Sequence, residues 1–226
     1  MSKIVFFGDS VTAGLQVGLT SRWAQRIALF CGYVATDIIN AGIPGDTTDD
    51  MLARIQADVL DKDPSVCVLM LTVNDKTNNF TLAKHETNVR SIIGQLKSAG
   101  IKVVVISPPV YRSGLASWVS WVEKGEQVAG QLNCPFIDVW RDYANYYLAN
   151  QTFNDWYVDY IHQTLTGNDR IFQILSRPLH SGHFVVGSSA SEPVQSGCSE
   201  RTLALADLIE NGATVERLSR VINSIA

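Results

Sequence analysis

Long apolar runs, clusters of basic residues and closely spaced cysteines are all missing from this sequence. The N-terminal run Ile4 to Phe7 is cut off by Gly8-Asp9, too short for a signal-peptide core or a membrane span. The 18 Lys and Arg residues are scattered among 22 Asp and Glu, and the formal net charge is -4. A phosphate backbone therefore finds no electrostatic footprint, which excludes nucleic acid from the expected partners. Cys31, Cys67, Cys134 and Cys198 lie far apart without a Cys-x-x-Cys pair. That spacing suits packing rather than metal or disulfide chemistry, and reduced thiols suit a cytoplasmic setting. His180 and His183 resemble a loose metal pair but have no third ligand at a suitable spacing. The expectation is two solvent-exposed loop histidines and no metal. His85 falls in a polar helix start and calls for no function.

What is present is the material of one well-buried core, with 46% hydrophobic residues over 226 positions. Five short runs rich in β-branched residues read as strands: Lys3 to Phe7, Val34 to Ile39, Val66 to Thr72, Ile101 to Ser107 and Pro135 to Val139. Runs such as Val103-Val104-Val105-Ile106 do not alternate with polar residues, as a parallel sheet covered on both faces requires. Helical patterns fill the gaps at about Arg22 to Cys31, Thr48 to Leu60, Thr81 to Ala99, Trp118 to Leu132 and Gly167 to Leu175. The alternating order predicts an α/β fold built as a three-layer α/β/α sandwich. Residues 1–180 form the expected domain. A Gly- and Ser-rich loop, Ser181 to Ser199, and C-terminal helices complete residues 181–226, which are expected to pack on the same domain.

In an open parallel sheet, ligands bind beyond the carboxyl ends of the strands. Polar blocks stand at three of these ends: Gly8-Asp9-Ser10, Asn40-Ala41-Gly42 and Thr72-Val73-Asn74-Asp75. A fourth, Asp159-Tyr160-Ile161-His162, precedes the Gly167 helix. A serine hydroxyl needs an imidazole to take its proton and a carboxylate to hold that imidazole in the correct tautomer. Ser10, His162 and Asp159 could supply the three. Charge that develops on a carbonyl oxygen needs fixed donors, and the N–H groups of Ser10 and Gly42 with the Asn74 amide could form such a hole. Standing alone, Ser10 could cap the following helix and His162 could be a surface residue. Asp46, Thr47 and Thr48 are expected to start a helix.

These four blocks resemble, in order and at typical spacings, the signature blocks of the SGNH (GDSL-type) hydrolases. They span residues 8–162, and the fold resemblance extends to about residue 180. The resemblance implies a five-stranded parallel sheet of flavodoxin-like order, a nucleophile at Ser10, oxyanion donors at Ser10, Gly42 and Asn74, an Asp159–His162 pair, and no metal or organic cofactor. Members of that family hydrolyse acetylated sugars, lysophospholipids, thioesters and aryl esters; from the four blocks and the aromatics near the last of them, the leading expectation is a small-molecule or carbohydrate ester that loses a small acyl group, acetyl above all. Two alternatives stay open: a lysophospholipase or thioesterase, and a binding module on the same fold that has lost catalysis. Two positions depart from the family pattern. Thr72 stands where the third block usually begins with Gly, and its side chain is expected to narrow the space beside the hole. Gln163 replaces a common Pro and is expected to leave the loop less rigid. Aromatics crowd Trp140 to Tyr160, including Tyr143, Tyr146, Tyr147, Phe153, Trp156 and Tyr157. Core packing is the favoured explanation, and sugar stacking or an acyl pocket the other.

Overall fold

The computed structural model describes residues 2–110, 115–150 and 155–177. Five strands, β1 (Ile4–Gly8), β2 (Ile38–Gly42), β3 (Val66–Met70), β4 (Lys102–Ile106) and β5 (Phe136–Ile137), form one sheet in the order β2-β1-β3-β4-β5. Every pairing is parallel. The helices are α1 (Ser10–Ala13), α2 (Trp23–Phe30), α3 (Thr48–Asp58), α4 (Asn74–Thr77), α5 (Leu82–Ser98), α6 (Leu115–Gln131), α7 (Val139–Asn150) and α8 (Leu165–Ser176). None of the described helices is long and apolar enough to cross a membrane.

Side chains alternate along a strand, so each strand feeds two layers. Val5 and Phe7 of β1 join Cys67, Leu69, Val103 and Val105 in a core with Met51 and Ile55 of α3 and Ile92, Ile93 and Leu96 of α5. Phe6, between them, instead meets Trp23 of α2 edge-on, with ring centroids 5.5 Å apart at 84°. Helix α2 packs on α8, and α3 packs on α5. The three-layer α/β/α fold follows from this two-sided burial.

The second strand begins later than its composition suggests. Val34 is half exposed, and the Asp37 N–H turns back to the Val34 carbonyl at 2.9 Å, so residues 35–37 form a 3-10 turn. Pairing with β1 starts at Ile38, opposite Ile4, and Asn40, Ala41 and Gly42 therefore lie in the strand rather than after it. The fifth strand is only two residues long because Val139 opens α7, a helix that the aromatic-rich sequence does not announce. Asp138 accepts the Arg141 N–H at 2.8 Å, the geometry of a helix N-cap. The loop expected over 181–199, the expected C-terminal helices, Phe153, Cys198, His180 and His183 lie outside the described residues. Cys31, Cys67 and Cys134 are free thiols, and burial pushes that of Cys31 up to about 12.

Trp23 ties the α2 side of the sheet to the rim. It is fully buried, and its indole N–H donates to the Val11 carbonyl of α1 at 2.9 Å. Trp23→Ala is expected to remove about 3–5 kcal/mol of unfolding free energy, measured by chemical denaturation. A loss below about 1 kcal/mol would show that α2 does not carry the core on this face.

Candidate active site

Helix α1 starts where β1 ends, and Asp9 rather than Ser10 caps it. The Asp9 Oδ1 accepts the Val11 N–H at 3.0 Å, so Ser10 becomes the first helical residue. Its hydroxyl turns to His162, whose Nε2 lies 2.9 Å from Ser10 Oγ across 152 positions of sequence. On the other side of the ring, His162 Nδ1 lies 2.7 Å from Asp159 Oδ2. Hydroxyl, imidazole and carboxylate thus stand in one line of hydrogen bonds, an arrangement that can move a proton off the hydroxyl.

The Asp159–His162 loop is built locally. Asp159 Oδ1 accepts the N–H groups of Ile161 at 2.9 Å and His162 at 2.8 Å, while the Val158 N–H donates to the His162 carbonyl at 2.8 Å. Burial pushes the Asp159 carboxyl up, but the two N–H bonds and the His162 ring outweigh it and bring the value down to about 2. Asp159 is therefore ionised throughout the neutral range, as a group that orients an imidazole must be. Gln163 does not loosen this loop. It is buried, pairs with Tyr157 in an antiparallel bridge, and its side-chain amide donates to the Ile161 carbonyl.

The three donors expected for an oxyanion come from three strand ends. Gly42 ends β2 opposite Gly8, and a Cβ there would fall 2.3 Å from the Ala13 nitrogen and 2.8 Å from the Asp9 carbonyl oxygen. Only glycine permits this approach to α1. The Gly42 N–H points at Asn40 Oδ1, 3.0 Å away, and Asn40 in turn donates to the Thr12 carbonyl. It reaches an oxyanion only by sharing or exchanging that bond. The Asn74 amide donates to the Asp46 carbonyl at 2.9 Å. An amide nitrogen carries two hydrogens, so this bond orients Asn74 without exhausting it.

Behind the rim lies a polar layer that the spacing of the motifs does not reveal. Arg54 of α3 pairs with Asp46, donates to the Ala41 and Gly8 carbonyls at 2.8 and 3.0 Å, and stacks 4.6 Å above the Phe7 ring. One guanidinium thereby ties the ends of β1 and β2. Asp75, next to Asn74, is fully buried and accepts both the N–H and the hydroxyl of Thr48 at 2.7 Å, with His85 Nδ1 also 2.7 Å away. His85 lies in the first turn of α5, where its sequence position puts it, and is itself buried. Thr47 caps α3 in a capping box with Asp50, the structural role its sequence position suggests. Thr72 is also buried, and its hydroxyl faces Asp9, Asp46 and the Asn74 nitrogen rather than the open side of the site.

The aromatics before the His162 loop divide by burial. Tyr143, Trp156 and Tyr157 are core residues, with the Tyr143 and Tyr157 hydroxyls each donating to a backbone carbonyl at 2.6 Å. Tyr146 stacks on Trp156. Tyr160, between Asp159 and Ile161, is 65% exposed. Among the described residues no three His, Cys, Asp or Glu side chains converge as metal ligands.

The family model for GDSL-like lipase/acylhydrolases matches residues 6–170. An arylesterase from Vibrio mimicus is 30% identical over 114 residues, which are 48% of this chain and 57% of that protein. The chain thus matches little more than half of that relative's length. An acetylxylan esterase from Geobacillus stearothermophilus is 24% identical over 165 residues, 60% of this chain and 75% of the relative. The crystal structure of a lipase/acylhydrolase from Enterococcus faecalis superposes with a TM-score of 0.68 at 28% identity, covering 84% of this chain and all of the other.

Burial pushes the Asp9 carboxyl above its ordinary value of 3.8, against the lowering effect of its bonds from Val11, Thr72 and Val73. A carboxyl whose proton is held more tightly in the folded state loses stability as the pH rises above its unfolded value. Asp9→Asn mimics the protonated acid and escapes this loss. Its melting temperature is expected to pull ahead of the wild type as pH rises above about 4, the ordinary range of an aspartate, and to approach it below that. A constant difference across the range would show that Asp9 ionises as freely folded as unfolded.

Proposed function

The chain belongs to the GDSL-like lipase/acylhydrolase family, and from that premise we propose that it is a serine ester hydrolase acting on small-acyl esters, acetyl groups on a carbohydrate above all. The observation that carries this reading is the single imidazole bridging Ser10 Oγ at 2.9 Å and Asp159 at 2.7 Å. Ser10 Oγ attacks the acyl carbon as its proton passes to His162 Nε2, and the ester C=O electrons move onto oxygen. Donors from Ser10, Gly42 and Asn74 hold that charge. Collapse breaks the bond to the alcohol, which leaves with the proton from His162, and water activated by the same imidazole resolves the acyl-Ser10 intermediate. Asp159 stays ionised and keeps Nδ1–H directed away from the serine.

Acetylated carbohydrate is supported by the activity named for the Geobacillus relative and by exposed Tyr160, whose ring beside Asp159 could stack on a sugar face. A lipolytic reading, as lysophospholipase or thioesterase, has its own support. The Enterococcus structure is named a lipase/acylhydrolase, and Leu15, Ile43 and Val158, each close in sequence to Ser10, Gly42 or Asp159, are exposed apolar side chains.

Ser10→Ala is expected to abolish hydrolysis of p-nitrophenyl acetate, and Asn74→Ala to lower kcat by about 100-fold or more. Undiminished turnover by Ser10→Ala would sink the assignment. Failure of a fluorophosphonate probe to label Ser10 in folded protein would favour a binding module. Chain-length preference separates the two esterase readings: rates on p-nitrophenyl esters should drop steeply beyond butyrate, whereas a maximum at octanoate or decanoate would select the lipolytic one.

A further inference from the structure

Thr72 occupies the position where the resembling family usually has glycine, and its hydroxyl lies at the meeting point of three loops. Asp9 Oδ2 from the first loop lies 2.9 Å away, the Asp46 carbonyl from the second 2.8 Å, and the Asn74 N–H from the third 3.0 Å. A hydroxyl has one hydrogen to give and two lone pairs to receive. The Asn74 N–H fills one lone pair, and the single hydrogen faces two acceptors, the Asp46 carbonyl and Asp9 Oδ2, so it is shared between the second loop and the first.

The same Asp46 carbonyl also accepts the side-chain amide of Asn74. Asn74 is therefore held at both ends, its backbone nitrogen by Thr72 and its side chain by the carbonyl that Thr72 fixes. A glycine in this place would leave the Asn74 N–H and the Asp46 carbonyl each one partner short.

We propose that Thr72 is a positioning residue: its hydroxyl locks the first three loops together and holds the Asn74 amide where an oxyanion forms. The proposal rests on the ester hydrolase reading above. Donors that are fixed before the reaction stabilise developing charge without reorganising, so the loss of this hydroxyl acts on turnover rather than on substrate binding.

The test uses Thr72→Val, which keeps the shape and removes the hydroxyl, and Thr72→Ser, which restores it. In Thr72→Val, kcat on p-nitrophenyl acetate should fall on the order of tenfold or more with KM within about twofold, and Thr72→Ser should recover most of it. In an Asn74→Ala background the valine change should cost about twofold or less, because the group it positions is gone. Full additivity of the two losses, or wild-type kcat in Thr72→Val, overturns the proposal. Amide hydrogen exchange gives a readout independent of activity. The Asn74 N–H should exchange on the order of tenfold faster in Thr72→Val, with Leu69 and Val105 unchanged and Thr72→Ser protected. If Ser10→Ala stays active, the catalytic reading fails while Asn74 exchange still tests the hold. Wild-type protection of Asn74 in Thr72→Val rejects that hold whichever way Ser10 behaves.

Discussion

Strand β1 is hydrogen-bonded on both sides, with Gly8 opposite Gly42 of β2 and Phe7 opposite Leu69 of β3. This parallel register brings three loops out at the same height. From it follow the closeness of Asp9, Asp46 and Thr72, the reach of Arg54 to two strand ends, and the seat of Ser10 at the start of α1. Because side chains alternate, a slip of one residue would turn the core-facing set to the wrong layer. The same burial that stabilises the sheet therefore fixes the geometry of the rim.

Much of this fold is legible in the sequence. The runs around Val66–Met70 and Lys102–Ile106 read as strands because both of their faces are buried, which leaves an uninterrupted apolar signal. The second strand was harder to delimit. Val34 has a strand-like side chain, but propensity says nothing about whether a neighbour exists to pair with, and here pairing begins at Ile38. Helix α7 is hidden for a different reason: its aromatics serve contacts with Trp156 and Gly167, so its composition reflects tertiary packing more than helical periodicity.

The candidate site divides in a similar way. Ser10, Asp159 and His162 could be picked out because a short block of polar residues at a strand end or before a helix is unusual, and the fold brings the three into contact. Arg54, His85 and the direction of the Thr72 side chain carry no such mark. Their spacing is that of ordinary helix and loop residues. Only burial, which depends on elements far away in sequence, turns them into internal hydrogen-bonding groups. Thr72 shows the difference well: its volume could be foreseen, but the partners of its hydroxyl could not.

The short hairpin closed by Tyr157 and Gln163 assembles carboxylate and imidazole within one local turn, since Asp159 gathers the N–H groups of Ile161 and His162 and the imidazole itself. The chain entropy of bringing those two partners together is consequently small, and only the docking of the finished turn against α1 is long-range. Such a turn behaves as a prefabricated part. Drift in the intervening connections would alter how it is delivered to the serine, but leave its internal alignment untouched.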